Sequence, residues 1–186
     1  DELAAAVHRG VKVEVLMSRR AKGWDERLTE LANYLAGMGA IVHRFADPVI
    51  KYHAKYVLAD DGPALLASLN LTRKCFEKTV DFVLVTHDAA VVAGIRTLFR
   101  TDCQGLTYGL PEGVSERLIV GPDRARRQLT ELLGQARRQI RIIDHKITDP
   151  AIATLLKLRQ SEGVEVEVLG SGSFDGLRPH GKMILV

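Results

Sequence analysis

Valines alternate with polar residues twice in this chain. GVKVEVLMS (residues 10–18) and GVEVEVLGS (163–171) agree at seven of nine positions. The V-x-V-x-V spacing has a period of two and predicts a strand in each case. A helical pattern precedes each strand, ELAAAVHR in one case and DPAIATLLKLRQS in the other. The same reading along the chain predicts strands near 11–17, 40–46, 50–59, 64–70, 80–86, 117–121, 139–146, 164–169 and 181–186. It predicts helices near 1–9, 25–37, 88–100, 123–138 and 150–161. Asp25 is the expected N-cap and Gly37 the expected stop of the second helix. Asp149-Pro150 reads as an N-cap followed by a first-turn proline. Strands alternating with helices predict an α/β fold with a mixed or parallel sheet.

The repeat extends further. Each valine strand is followed, after loops of different length, by H-x-K: His53-Ala54-Lys55 and His180-Gly181-Lys182. Two matched signals in one order predict a duplicated α/β unit. Residues 1–105 form the first copy, 106–115 a Gly- and Pro-containing linker, and 116–186 the second copy. The first copy opens inside the helix that precedes its valine strand, and the second ends soon after its H-x-K. The expectation is therefore that the chain is the middle of a longer protein.

Composition narrows the class only modestly. At 186 residues, 46% hydrophobic and 26% charged, the chain reads as globular and can bury a sizeable core. A net charge of +3 tolerates a phosphate-bearing partner without demanding one. Basic residues are scattered (Arg19, Arg20 and Lys22, then Arg124, Arg126, Arg127, Arg137, Arg138 and Arg141), which reads as solvated surface. The two cysteines, Cys75 and Cys103, suggest neither a disulfide framework nor a zinc site by spacing. No apolar run reaches the length of a membrane span. The expected location is cytoplasmic or peripheral to a membrane.

The chemistry concentrates in KYHAKYVLADDGPALLASLNLTRK, residues 51–74. On a strand, side chains two apart share a face, so His53 pairs with Lys55 and Ser68 with Asn70. Asp60-Asp61-Gly62-Pro63 is turn chemistry, which folds the two pairs into one hairpin and leaves Asp60 to brace the turn. A histidine can act as nucleophile or general acid near neutral pH. Lysine and asparagine can neutralise developing charge on phosphate oxygens. No Cys/His or carboxylate cluster in the sequence suggests a metal, so no cofactor is expected. Two copies supply two histidines, one to attack phosphorus and one to protonate the leaving oxygen.

His53, Lys55, Asp60, Ser68 and Asn70, spaced H-x-K-x(4)-D-x(6)-A-S-x-N, closely resemble the signature of the phospholipase D superfamily. Ala67 stands where that family usually has glycine. The continuation SLNLTRKCFEKTVDFVLVT is also similar, with Asp81 at the position of an acidic residue that orients the histidine, and here the expected target is His53. His180 and Lys182 match the second copy of the signature. The resemblance implies two pseudo-twofold α/β lobes with sheets flanked by helices, and both H-x-K pairs serving one site. It implies metal-independent phosphodiester cleavage or transfer through a phosphohistidine, with water or an alcohol as acceptor.

A phospholipid substrate is favoured, with possible peripheral membrane contact. Aromatic residues are only 5% of the chain, offering few platforms for stacking nucleic-acid bases. A nuclease using the same chemistry, or an inert phosphate-binding module on the same fold, are the alternatives. Asp144-His145-Lys146 reads as structural because its His and Lys are adjacent and so point oppositely. His8, His43 and His87 read as surface or loop-end residues, and Trp24 as part of a solvated basic loop.

Overall fold

A computed structural model describes residues 2–45, 47, 51–105, 109–170, 172 and 176–186. Residue 1 of the first expected helix, residues 46 and 50 of two expected strands, linker residues 106–108 and Ser171 of the second valine motif lie outside the described residues. The elements run α1 (Glu2–His8), β1 (Glu14–Ser18), α2 (Asp25–Gly37), β2 (Ile41–Phe45), β3 (Tyr56–Leu58), β4 (Ala64–Ala67), α3 (Arg73–Glu77), β5 (Thr79–Val80) and β6 (Val83–Thr86). They continue through α4 (Ala89–Cys103), α5 (Ala125–Gly134), β7 (Gln139–Ile143), α6 (Pro150–Ser161), β8 (Glu165–Leu169), β9 (Arg178–Pro179) and β10 (Met183–Leu185). This is a mixed α/β protein in which helices accompany the sheets.

The chain forms two compact units. The first comprises residues 1–53 and 93–114, and the second 54–92 and 115–186. In the first unit, β1 and β2 pair in parallel, Glu14 opposite Ile41 through Ser18 opposite Phe45, with α2 as the crossover. Leu35, Ala40, Phe45, Ile95 and Val114 are buried apolar side chains of this unit. Helix α2 spans the expected residues, but its ends differ. Asp25 is the first helical residue, and its carboxylate accepts the Ala21 N–H at 2.9 Å, so it ties down the preceding turn. The left-handed residue that ends the helix is Gly39, at φ +97°, rather than Gly37.

The second unit holds a three-stranded sheet in the order β10-β7-β8, with β7 parallel to β8 and antiparallel to β10. Central strand β7 alternates as its sequence dictates. Ile140 and Ile142 are buried, while Arg141 on the other face pairs with Glu167 at 2.8 Å. Leu133, Ala136, Leu156 and Val164 complete this core, and Ile152 and Leu155 pack against it. Fully buried Leu133 and Ile140 each contribute about 1.5–3 kcal/mol of apolar burial. Helix α6 starts as expected: the Asp149 carboxylate accepts N–H bonds from Ala151 (3.0 Å) and Ile152 (3.2 Å), with Pro150 next.

A second sheet of this unit, β3-β4-β6, is antiparallel throughout. A two-stranded parallel pair, β5 with β9, sets Thr79 opposite Arg178 and Val80 opposite Pro179. The expected strand at 117–121 does not form. Its peptide groups serve turns instead, with Leu118 N–H bonding Ser115 C=O and Arg124 N–H bonding Val120 C=O. Helix α3 was not expected, because LTRKCFEK lacks the length for a helical period to show.

The Asp149 cap gives a test. Asp149→Ala should lower the unfolding free energy by about 1 kcal/mol, read from urea midpoints, because it orphans two N–H groups at the start of α6.

Candidate functional site

The centre of the candidate site is the Asp81 carboxylate, whose side chain is only 4% exposed. Its Oδ1 lies 2.8 Å from His180 Nδ1 and accepts the Ser68 hydroxyl at 2.8 Å. Its Oδ2 accepts the Thr79 hydroxyl at 2.7 Å. Ser68 is fixed in turn, because its Oγ accepts the Phe82 N–H at 2.9 Å and its own N–H bonds Phe82 C=O at 3.0 Å. Burial alone would push the Asp81 carboxyl up. The bonds from Thr79, His180 and Ser68 outweigh it and hold the group below the ordinary carboxylate range.

An ionised carboxylate can only accept, so Nδ1 of His180 carries its proton. The neutral imidazole then keeps its lone pair on Nε2, which is the form suited to attack or to proton transfer.

Local pairing brings the two ends together. Strand β9 runs beside β5, and the His180 and Gly181 N–H groups both reach the Val80 C=O, at 3.1 and 2.9 Å. The chain must therefore pass very close to Phe82. A Cβ at Gly181 would lie 2.5 and 2.7 Å from two Phe82 ring carbons and 3.3 Å from Asp81 Cα. The two ring contacts are closer than any real Cβ makes, so a side chain at the middle of H-G-K would have to displace Phe82. Lys182 follows, exposed, with Nζ donating to the His180 C=O at 3.0 Å.

The second unit thus joins Ser68, Asp81 and His180, and it also carries Lys55, Asp60, Asn70 and Lys182. Asp81 was expected to orient His53. Its carboxylate holds His180, which β5–β9 pairing delivers to it. The hairpin geometry also departs from expectation. Strand β3 begins at Tyr56 and β4 ends at Ala67, so His53 and Lys55 precede one strand and Ser68 and Asn70 follow the other. Lys55 is half-buried, and its C=O accepts the Ala67 N–H at 2.9 Å. The Asn70 C=O accepts the Thr72 N–H at 2.7 Å and turns the chain into α3. Asp60 is in the turn, as expected, at φ +46°, a left-handed conformation that Asp tolerates better than most residues.

His53 is exposed and closes the first segment of the first unit. Its neighbour Tyr52 anchors that stretch, accepting the Ser18 hydroxyl at its C=O (3.2 Å) and packing its ring at a tilt against Phe45 with centroids 4.9 Å apart. Among the other histidines, His43 is not a loop-end residue. It lies within β2, 3.3 Å from Glu14 and edge-on to Phe99. Asp144-His145-Lys146 is structural, since Asp144 accepts the Lys146 N–H and its own N–H bonds Leu169 C=O.

Three neighbours of the site went unread in the sequence. Thr79 had a signal, being two residues before Asp81 on an extended segment. Phe82 had none, because its role is to limit space. Buried Cys75 is the third: it, Asp81 and His180 each place a ligand atom within 4.8 Å of the others. The sequence spacing suggested no such cluster. The Thr72 hydrogen bond is the largest influence on the Cys75 thiol and, despite burial, holds it below the usual thiol range.

Two measurements check this geometry. Gly181→Ala should destabilise the chain by about 1–3 kcal/mol, and Phe82→Leu in the same chain should restore part of that loss. The second concerns pH. The folded pKa of Asp81 lies below its unfolded value, so its stabilisation is complete above the ordinary carboxylate range. That stabilisation is lost as pH falls through the depressed folded value. Between about pH 6 and pH 3 the wild-type urea midpoint should therefore fall further than that of Asp81→Asn. Equal falls would mean that the Asp81 network contributes nothing to pH stability.

Comparison with known proteins agrees with this architecture. The family model described as "Cardiolipin synthase, PLD-like domain" matches residues 1–103. A search of curated proteins found no match. Among solved structures, polyphosphate kinase from Porphyromonas gingivalis superposes with a TM-score of 0.67 at 22% identity. The match covers 95% of this chain and 33% of that one, so the chain spans about a third of its length. With the family match extending over more than half of its residues, the chain belongs to the PLD-like domain family of cardiolipin synthase.

Proposed function

We propose that the protein is a metal-independent phosphodiesterase or phosphatidyltransferase that works through a phosphohistidine, with a phospholipid as favoured substrate. Family membership supports phosphoryl-transfer chemistry in general. The observation that carries the proposal is the bond from His180 Nδ1 to buried Asp81 at 2.8 Å, which leaves Nε2 as the reactive nitrogen.

In this mechanism one imidazole Nε2 attacks phosphorus. The bond to the leaving oxygen breaks, and the second imidazole, protonated, gives that oxygen its proton. Water or an alcohol then attacks the phosphohistidine, loses its proton to the second imidazole, and frees the first. His180 is one of the pair and His53 is the other. Lys55, Lys182 and Asn70 neutralise the phosphate oxygens. Ser68 and Asp81 act as positioning residues for His180, and Asp60 shapes the turn after Lys55.

The test is hydrolysis of a chromogenic phosphodiester in excess chelator by the protein at its full natural length. Activity should survive chelation. His180→Ala and His53→Ala should abolish it, and Asp81→Asn should lower kcat by about 10²-fold or more with a smaller effect on KM. Acid-labile label on the protein after a rapid quench would report the phosphohistidine. Phospholipid vesicles, single-stranded DNA and polyphosphate, the last chosen because the structural neighbour is a polyphosphate kinase, would then compete for the site. Preferential inhibition by DNA would favour the nuclease reading. Binding without turnover on any diester would favour an inert phosphate-binding module.

A further inference from the structure

The thiol beside the Asp81–His180 pair has no part in the proposed chemistry. We propose that Cys75, Asp81 and His180 form an inhibitory binding site for a thiophilic divalent cation of the Zn2+ class. Each residue offers one ligand atom, and the three atoms lie within 4.8 Å of one another. Zinc binds sulfur at about 2.3 Å and nitrogen or oxygen at about 2.0–2.2 Å, so ligand atoms around it stand roughly 3.2–3.8 Å apart. The Nδ1 to Oδ1 distance of 2.8 Å need only open by about half an ångström to admit the ion. The Cys75 sulfur lies within 4.8 Å of both atoms.

The donor set selects the metal. One thiolate, one imidazole and one carboxylate suit zinc or cobalt, whereas magnesium and calcium call for oxygen ligands. Three protein ligands leave a fourth tetrahedral position open to water. The frame is also fixed. Cys75 comes from α3, Asp81 from the end of β5 and His180 from the end of β9. Thr79 ties the first two together, with its hydroxyl 3.2 Å from Cys75 C=O and 2.7 Å from Asp81 Oδ2. Cys75 is 8% exposed and the Asp81 side chain 4%, while the His180 side chain is 32% exposed, so the ion would be reached from the His180 side.

Binding displaces the proton of the Cys75 thiol and moves the His180 proton from Nδ1 to Nε2, so one proton leaves per ion bound and affinity rises with pH. The consequence for activity rests on the proposed function. An imidazole whose Nδ1 is bound to a cation has lost its carboxylate partner and much of its basicity, and it no longer passes protons. Chelator would then raise activity in a preparation that carries zinc.

The experiment is titration of the protein with Co2+, followed by displacement with Zn2+. The expected result is one ion per chain, with the visible bands of tetrahedral cobalt and a near-ultraviolet thiolate-to-cobalt band. Cys75→Ser should remove the near-ultraviolet band. His180→Gln should weaken binding by about 100-fold or more, a larger loss than removal of an outer partner causes. Circular dichroism would confirm that both variants fold. No cobalt or zinc binding, or binding unchanged in folded Cys75→Ser, overturns the inference. An active enzyme that binds no metal would leave the proposed function standing, and a zinc-binding chain with no turnover on any diester would do the reverse.

Discussion

A carboxylate removed from water must be repaid with hydrogen bonds, and the candidate site is organised around that requirement. Asp81 receives two hydroxyls and one imidazole on its two oxygens. Each bond to a charged group is worth about 1.5–3 kcal/mol, while stranding the charge would cost more. Ser68, Thr79 and His180 are therefore constrained together. Ser68 is held by Phe82 through both of its polar groups, and His180 by the Val80 carbonyl through its backbone. A site built this way resists small displacements, because moving any member leaves a buried oxygen short of a donor.

The steric constraint at Gly181 belongs to the same arrangement. Hydrogen bonds to Val80 draw the H-G-K backbone against the Phe82 ring, and the missing side chain at Gly181 lets the imidazole reach Asp81. The other H-x-K triplet is H-A-K, with Ala54 exposed. The two triplets share a sequence pattern and differ at the middle residue, which is buried at Gly181 and exposed at Ala54. Attraction and exclusion together give His180 its orientation.

Much of this was legible in the residues, for identifiable reasons. Helix α6 could be read to its ends because Asp149-Pro150 is a local signal, and β7 and β8 because period-two alternation is local as well. The residues at 117–121, with the apolar run Leu118-Ile119-Val120, looked like a strand and are not one, since an apolar run alone does not supply a partner. Ser68, Asp81 and His180 could be named from a spacing pattern. Which histidine Asp81 serves could not, because that depends on the β5–β9 pairing of two residues each. Pairings that short leave no pattern in a sequence. Cys75 was unreadable as a neighbour of His180 for the same reason, and Phe82 because exclusion of volume has no motif.

Asp81 and His180 are 99 residues apart in the chain. The order of synthesis follows from that separation. Ser68, Thr79 and Asp81 emerge from the ribosome well before the imidazole they hold, and a long loop must close before they meet it. Until then the carboxylate stays wet and the histidine has no fixed tautomer. The reactive nitrogen is thus a property of the finished fold, and an incomplete or misfolded chain carries the same residues with no chemistry to misdirect.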